Sequence, residues 1–239
     1  MPIYFVTGTN CGLGLEWVRQ LCIIPSNTII ASARDGSKPH DPLPAIKSII
    51  NILECDIGGV HSIVQFGEVV TNTLGGGATI DYLINNAGMA TRPQQTTMNP
   101  TLEELTKHLT VHVYGPATVV NALLRRLHND SIFANISSRV GSCEELACKW
   151  APSRNSAFCT PCAITKVALN ILTVHESLDV KSKGIIVIAL VHNWVKTDMD
   201  RPYAIVEVSD SVSGLYKTLH QVKMESTGHF NREDGNRCP

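Results

Sequence analysis

The feature that most constrains this chain lies at its start. Ile3-Tyr4-Phe5-Val6-Thr7 is an apolar, β-branched and aromatic run that passes through Gly8-Thr9-Asn10-Cys11-Gly12-Leu13-Gly14 into the amphipathic run Leu15 to Leu21. A strand that turns through glycines into a helix leaves helix N–H groups facing the turn, where they can bind phosphate. Gly8 suits the tight turn, Gly12 lets backbone approach a pyrophosphate, and Gly14 lets the helix pack close. A glycine pattern alone is weak evidence. Flanked by a strand and a helix, it predicts a dinucleotide cradle made by Gly8, Asn10, Gly12, Leu13 and Gly14.

Further apolar runs recur with helical stretches between them: Thr28 to Ala33, Ile49 to Cys55, Ile80 to Asn85, Ile132 to Ser137 and Ile185 to Val191. Near-continuous apolar strands suit a parallel sheet covered on both faces, and Leu102 to Leu127 and Cys162 to Lys181 are long enough for crossover helices. The expected fold is therefore α/β, a Rossmann-type doubly wound parallel sheet flanked by helices on both faces. The Pro-rich piece Lys38 to Pro44 is too broken for a long helix and reads as a loop. With 239 residues, 44% of them hydrophobic, and no shift in composition, the chain is expected to form one domain over residues 1–239.

The formal charge is −1 and basic residues are scattered, which argues against a nucleic-acid partner. No apolar run reaches the roughly 18 residues that span a bilayer, and no secretory signal is evident, so no membrane partner is expected and the chain reads as cytoplasmic. In that compartment a disulfide scaffold is not expected despite eight cysteines. Cys11, Cys22 and Cys55 fall in or beside core elements and read as small hydrophobes.

Several motifs occur together in order. They are Thr7-Gly8-x-x-x-Gly12-x-Gly14, Cys55-Asp56-Ile57, Asn85-Asn86-Ala87-Gly88, Ile136-Ser137-Ser138, Lys166-Val167-Ala168-Leu169-Asn170, Trp194-Val195-Lys196-Thr197-Asp198-Met199 and Gly228-x-Phe230-x-x-x-x-Gly235. Over essentially its whole length the chain resembles the short-chain dehydrogenase/reductase family, and within it the carbonyl-reductase-like branch of the bacterial C-factor and the insect sniffer protein. The resemblance implies that Asp56 reaches the adenine edge, that Asn85, Ala87 and Gly88 support the ribose, and that Lys166 and Thr197 meet the nicotinamide ribose and carboxamide. Arg34 follows the second strand, where a planar guanidinium suits a 2′-phosphate, so NADP(H) is the expected cofactor. Relatives often pair through the helices that correspond to Leu102 to Leu127 and Cys162 to Lys181, which implies a homodimer.

The chemistry half departs from the family. Members use an Asn-Ser-Tyr-Lys tetrad. Here Ser138 and Lys166 match, whereas the Tyr-x-x-x-Lys motif reads Cys162-Ala163-Ile164-Thr165-Lys166 and the asparagine position reads His112. The loop that relatives write His-Pro-Gly-Trp reads His192-Asn193-Trp194, one residue shorter. Pro161 suggests that Cys162 lies in the first turn of its helix with Lys166 one turn later on the same face. Cys162 then reads as a proton donor, as a nucleophile, or as a filler of the space of a lost tyrosine. His112 reads as an acid or base near pH 7, as a holder of a water relay, or as a helix residue. Tyr114, two residues on, points elsewhere.

An inserted loop at about 141–160 carries Cys143, Cys148, Cys159 and Cys162. These cysteines are compatible with zinc or with a redox-active Cys159–Cys162 pair, but the insertion reads rather as a loop over the pocket lined by Trp150 and Phe158, with no metal expected. The leading functional expectation is an NADP(H)-dependent reductase of a small, mainly apolar carbonyl, imine or enone. The alternatives are a scaffold repurposed for a non-redox biosynthetic isomerisation or cyclisation, and a catalytically silent cofactor-binding protein.

Overall fold

The structure is a computed structural model that describes residues 1–34, 48–90, 96–99, 101–147, 160–199 and 204–239. Seven strands form a single parallel sheet in the order β3-β2-β1-β4-β5-β6-β7. The strands are β1 (Ile3–Thr7), β2 (Thr28–Ala33), β3 (Ile49–Glu54), β4 (Ile80–Asn85), β5 (Leu127–Ser138), β6 (Ile186–His192) and β7 (Phe230–Arg232). The chain reverses its direction of travel across the sheet between β1 and β4. In an open α/β sheet, that switch point makes a crevice at the carboxyl ends of the strands, where ligands bind.

Residue alternation explains the two-sided core. Tyr4 and Val6 of β1, Ile29 and Ala31 of β2, and Ile186, Ile188 and Leu190 of β6 face one way. They pack on Trp17, Val18 and Leu21 of α1 (Gly12–Cys22) and on Val212, Leu215 and Leu219 of α7 (Val208–Gln221). Phe5, Ile30 and Val187 face the other way, onto Ile63, Phe66 and Val70 of α2 (Val60–Leu74) and Val119, Val120 and Leu123 of α4 (Gly115–Leu123). Period-2 strands with both faces apolar need a helical layer on each side, and here each side has one. Only the edge departs: Ile49 and Ile52 of β3 are exposed.

The stretch 102–127 is not one helix. It comprises α3 (Leu102–Leu109), a π-helical turn at Thr110–Tyr114 and α4, then a short 3-10 turn into β5. The wide turn is closed by Gly115 N–H donating to Thr110 O. β5 starts earlier than its apolar core suggests, reaching back to Leu127 across a register shift between Ile80 and Tyr82 of its neighbour. After β5 come a 3-10 turn (Arg139–Gly141) and the single-turn α5 (Cys143–Glu145), and then α6 (Thr160–Asp179). The Pro-rich piece, Cys148, Cys159, Trp150 and Phe158 lie outside the described residues. Among the described residues no helix is long and apolar enough to cross a membrane.

Candidate active site

The glycine turn is built as a cradle that no larger residue could form. Gly8 has φ +69°, and a Cβ there would lie 2.7 Å from Ala87 Cα; a Cβ on Gly14 would lie 2.1 Å from Gly8 O. The turn of β1 and the turn after β4 are thus in backbone contact. Side chains lock them together. Thr7 Oγ1 accepts from Asn86 N–H and Ala87 N–H, both at 3.0 Å, and Asn86 Nδ2 donates to Thr7 O at 2.9 Å and Gly8 O at 3.2 Å.

At the start of α1, Cys11 occupies the cap position without bonding the helix through its side chain, and the first turn carries no acidic residue. First-turn N–H groups that lack an intrahelical partner are donors for an anion. Half-buried Asn10, Gly12 and Leu13 rim the turn. The donor set and the space cleared by glycine fit a dinucleotide pyrophosphate. Cys11 itself is exposed, unlike Cys22 and Cys55, which corrects its expected role as a small core hydrophobe. Partial burial raises its pKa and the charge of Asp198 adds to this, while Arg34 opposes. Arg34 is exposed at the end of β2. Asp56 is exposed after β3 and accepts from Gly58 N–H at 2.9 Å. Across the crevice, the Thr197 methyl lies 3.5 Å from where a Gly12 Cβ would be.

Asn85 does not line this crevice. Its amide is buried beneath the sheet, donating to Asn135 Oδ1 at 3.0 Å, so its expected contact with the ribose gives way to an interior role. Asn135 in turn donates to Thr173 Oγ1 and Glu176 Oε2, each at 2.9 Å. Burial pushes the Glu176 carboxyl up to about 7; the Asn135 bond opposes the shift and Asp179 reinforces it. Asn85 Oδ1 and Glu176 Oε1 have no partner among the described residues.

Ser138, His112, Cys162 and Lys166 gather where the end of β5 meets α6 and the π turn. Lys166 Nζ donates to Ile136 O at 2.7 Å, two residues before Ser138. Burial lowers the Lys166 pKa to about 8, and the nearby Cys162 opposes that shift. Cys162 is the third residue of α6, half-buried, one turn before Lys166. Ser138 is half-buried and sits beside His192 in the β5–β6 register.

His112 is 1% exposed and both its ring nitrogens are engaged. Met89 N–H donates to Nε2 at 3.0 Å, so Nε2 carries a lone pair and the proton resides on Nδ1. Nδ1–H then donates to Thr165 Oγ1 at 2.9 Å, and the Thr165 hydroxyl is left to donate to Pro161 O at 2.9 Å. Burial and the Lys166 charge hold the imidazole well below its usual pKa. This corrects the expectation of an acid, base or water holder near pH 7: His112 is neutral, with a fixed tautomer and no nitrogen left for water. It ties the turn after β4 to the α6 segment between Cys162 and Lys166. Tyr114 is exposed. The parts of Thr7, Asn86, Met89 and Thr165 depend on tertiary pairing and are not legible as site roles in the sequence. Thr7, Asn86 and Thr165 had a signal in that each falls within a quoted motif, whereas Met89 had none.

A family model for short-chain dehydrogenases matches residues 2–205. The chain belongs to the short-chain dehydrogenase family. It is 31% identical over 201 residues to the short-chain dehydrogenase/reductase AacuF of Aspergillus aculeatus, covering 80% of this chain and 73% of that protein. It is 29% identical over 162 residues to C-signal of Myxococcus xanthus, covering 67% of this chain and 92% of that protein. A carbonyl reductase from chicken fatty liver, solved with NADPH bound, superposes with a TM-score of 0.86 at 27% identity, covering 100% of this chain and 99% of that one.

Proposed function

We propose that this chain is an NADP(H)-dependent reductase of a small, mainly apolar carbonyl, imine or enone, acting without a tyrosine proton donor. The observation that carries this reading is the glycine cradle, with Arg34 at the end of the next strand and a buried lysine bonded to Ile136 O, two residues before Ser138. The bound nicotinamide would supply hydride to the electrophile. Ser138 orients the substrate oxygen or nitrogen, and protonated Lys166 holds the ribose and stabilises developing negative charge. Cys162 stands one turn before Lys166, where the family's tyrosine is expected, and its thiol donates the proton that a carbonyl needs. A cysteine is shorter than tyrosine by roughly one aromatic ring, so the site favours electrophiles that need little protonation, such as iminium ions and activated enones. Because Lys166 must be charged, turnover falls as pH rises through about 8.

Fluorescence titration with NADPH and NADH tests the cofactor assignment. NADPH is expected to bind more tightly, and Arg34→Asp to weaken it by about 10- to 100-fold through loss of charged hydrogen bonds. Equal affinity for both cofactors, unchanged by Arg34→Asp, would refute the preference.

The second reading, a non-redox isomerisation or cyclisation, is favoured by the pairing of Cys162 with a lysine of lowered pKa, an arrangement suited to acid-base or nucleophilic work. A cytosolic location accords with the free thiols at Cys11, Cys22, Cys55, Cys143 and Cys238. A homodimer through α6 is supported by the stripe Ile164, Ile171, Val174 and Leu178, which is exposed at helical spacing. Ile171→Glu would then shift the protein from dimer to monomer in light scattering.

A further inference from the structure

β6 ends at His192, beside Ser138, and the next residue is Asn193. In the resemblance drawn above, relatives stiffen this point with proline, whose φ is fixed by its ring. Asn193 has no such restraint of its own. The structure supplies one through hydrogen bonds, and they use every polar group of the residue, including its carbonyl, which accepts from His192 Nδ1 at 2.6 Å. Asn193 N–H donates to Glu233 Oε2 at 3.0 Å and Nδ2 donates to Glu233 Oε1 at 2.7 Å, while Arg139 Nη1 donates to Asn193 Oδ1 at 3.0 Å.

Both holders are themselves held. Glu233 Oε2 also accepts from Ser211 Oγ at 3.1 Å, and Glu233 N–H donates to Val191 O at 3.1 Å. Arg139 Nε donates to Glu145 Oε2 at 2.6 Å, and the other oxygen of Glu145 accepts from Arg232 Nη2. Glu145 is 0% exposed, and Ser142 caps its turn. A buried carboxylate is tolerable only when its charge is compensated and its oxygens are bonded, and an ion pair of this kind adds little to stability over an apolar substitute. What it fixes is geometry. Arg139 follows Ser138 directly, so the same network touches the end of β5 and the loop after β6. Four residues beyond Asn193, Thr197 reaches across to the glycine turn at Gly12.

We propose that Asn193, clamped between Glu233 on one side and the Arg139–Glu145–Arg232 relay on the other, is a positioning residue for the nicotinamide end of the cofactor crevice. Hydrogen bonds here do what a rigid turn does in relatives. The proposal rests on the NADP(H) reading given above and adds to it the residues that set the far wall of the crevice.

The test compares two probes, NADPH and adenosine 2′,5′-bisphosphate, which carries the adenine end without nicotinamide. Asn193→Ala and Glu233→Gln are each expected to weaken NADPH by about tenfold, the scale of one or two lost hydrogen bonds, and to leave the bisphosphate within about twofold. A wild-type protein that binds NADPH while both variants bind it equally well would overturn the clamp alone. Equal weakening of both probes would also overturn it, by showing a general loss of structure. No NADPH binding by the wild-type protein would refute the reductase reading, and the clamp with it. Glu145→Gln leaves two guanidinium groups facing a neutral partner; if that variant does not fold, Asn193→Ala, a change at a half-buried loop residue, carries the test.

Discussion

The two halves of the crevice are made of different materials. The cofactor half is made of backbone: glycines at 8 and 14 where any Cβ would collide, amides of Asn86 and Ala87 pinned to Thr7, and a helix start without a side-chain cap. The chemistry half is made of buried side chains: a lysine lowered to about 8, a neutral histidine and a half-buried thiol. Backbone geometry either forms or fails, whereas side chains can be exchanged one at a time. An exchange in the first half therefore acts on the fold, whereas one in the second acts on the chemistry.

The largest effect that would break this contrast is expected at Gly14. Gly14→Ala places a methyl group 2.1 Å from Gly8 O, and backbone cannot yield as a flexible side chain does. NADPH binding should be lost and stability lowered by about 3 kcal/mol, read by titration and by urea unfolding. Normal binding by that variant would show that the cradle tolerates the side-chain exchanges that the other half does.

Lys166→Met sharpens the contrast by separating function from stability. Turnover should fall by about a hundredfold or more if its charge serves the reaction as proposed. Stability should rise. The lysine stays protonated in the unfolded chain to about 10.5 but loses its proton in the folded one near 8, so the wild type carries a burial penalty below pH 8 that fades as pH rises towards 10.5. The variant's gain is at most about 3 kcal/mol at pH 7 and vanishes at the alkaline end, as denaturant melts across pH would show.

Glu176 works in the opposite direction beneath the same sheet. Its carboxyl holds a proton to about 7 when folded, against about 4.5 unfolded, so stability is lost as pH rises through that window. Glu176→Gln should remove this slope, with a gain of up to about 3 kcal/mol above pH 7 and no change in cofactor affinity.

The smallest effect is expected at His112. His112→Asn should slow turnover by about tenfold through loss of the bridge between Met89 and Thr165, and leave the shape of the rate profile between pH 5 and 8 unaltered. Disappearance of an ionisation in that range would reinstate the histidine as an acid or base.

How much of this the sequence disclosed follows the same division. The bounds of β1, β2 and β4 were legible from apolar runs that end at turn residues, and the cradle from its glycines. The π turn in the stretch 102–127 was not, because a single i+5 closure leaves no mark in residue type or period. β7 is three residues long, too short for alternation to register. The family resemblance implied a ribose contact for Asn85, yet strand alternation sends its side chain inward to Asn135. His112 read as a titrating group because its partners, Met89 and Thr165, are 23 and 53 residues away in the chain. The clamp on Asn193 was invisible for the same reason, drawing on residues from four separate segments.

Under the proposed function, hydride passes from NADPH to substrate in a site where Cys162 stands one turn before Lys166. Incubation with NADPH deuterated at the transferable position of the nicotinamide, against a panel of cyclic iminium ions and activated enones, tests it most directly. The account predicts product carrying one deuterium, at a rate that declines as pH rises through about 8. Substrate conversion without deuterium in the product would contradict it and place the protein among non-redox enzymes built on this fold.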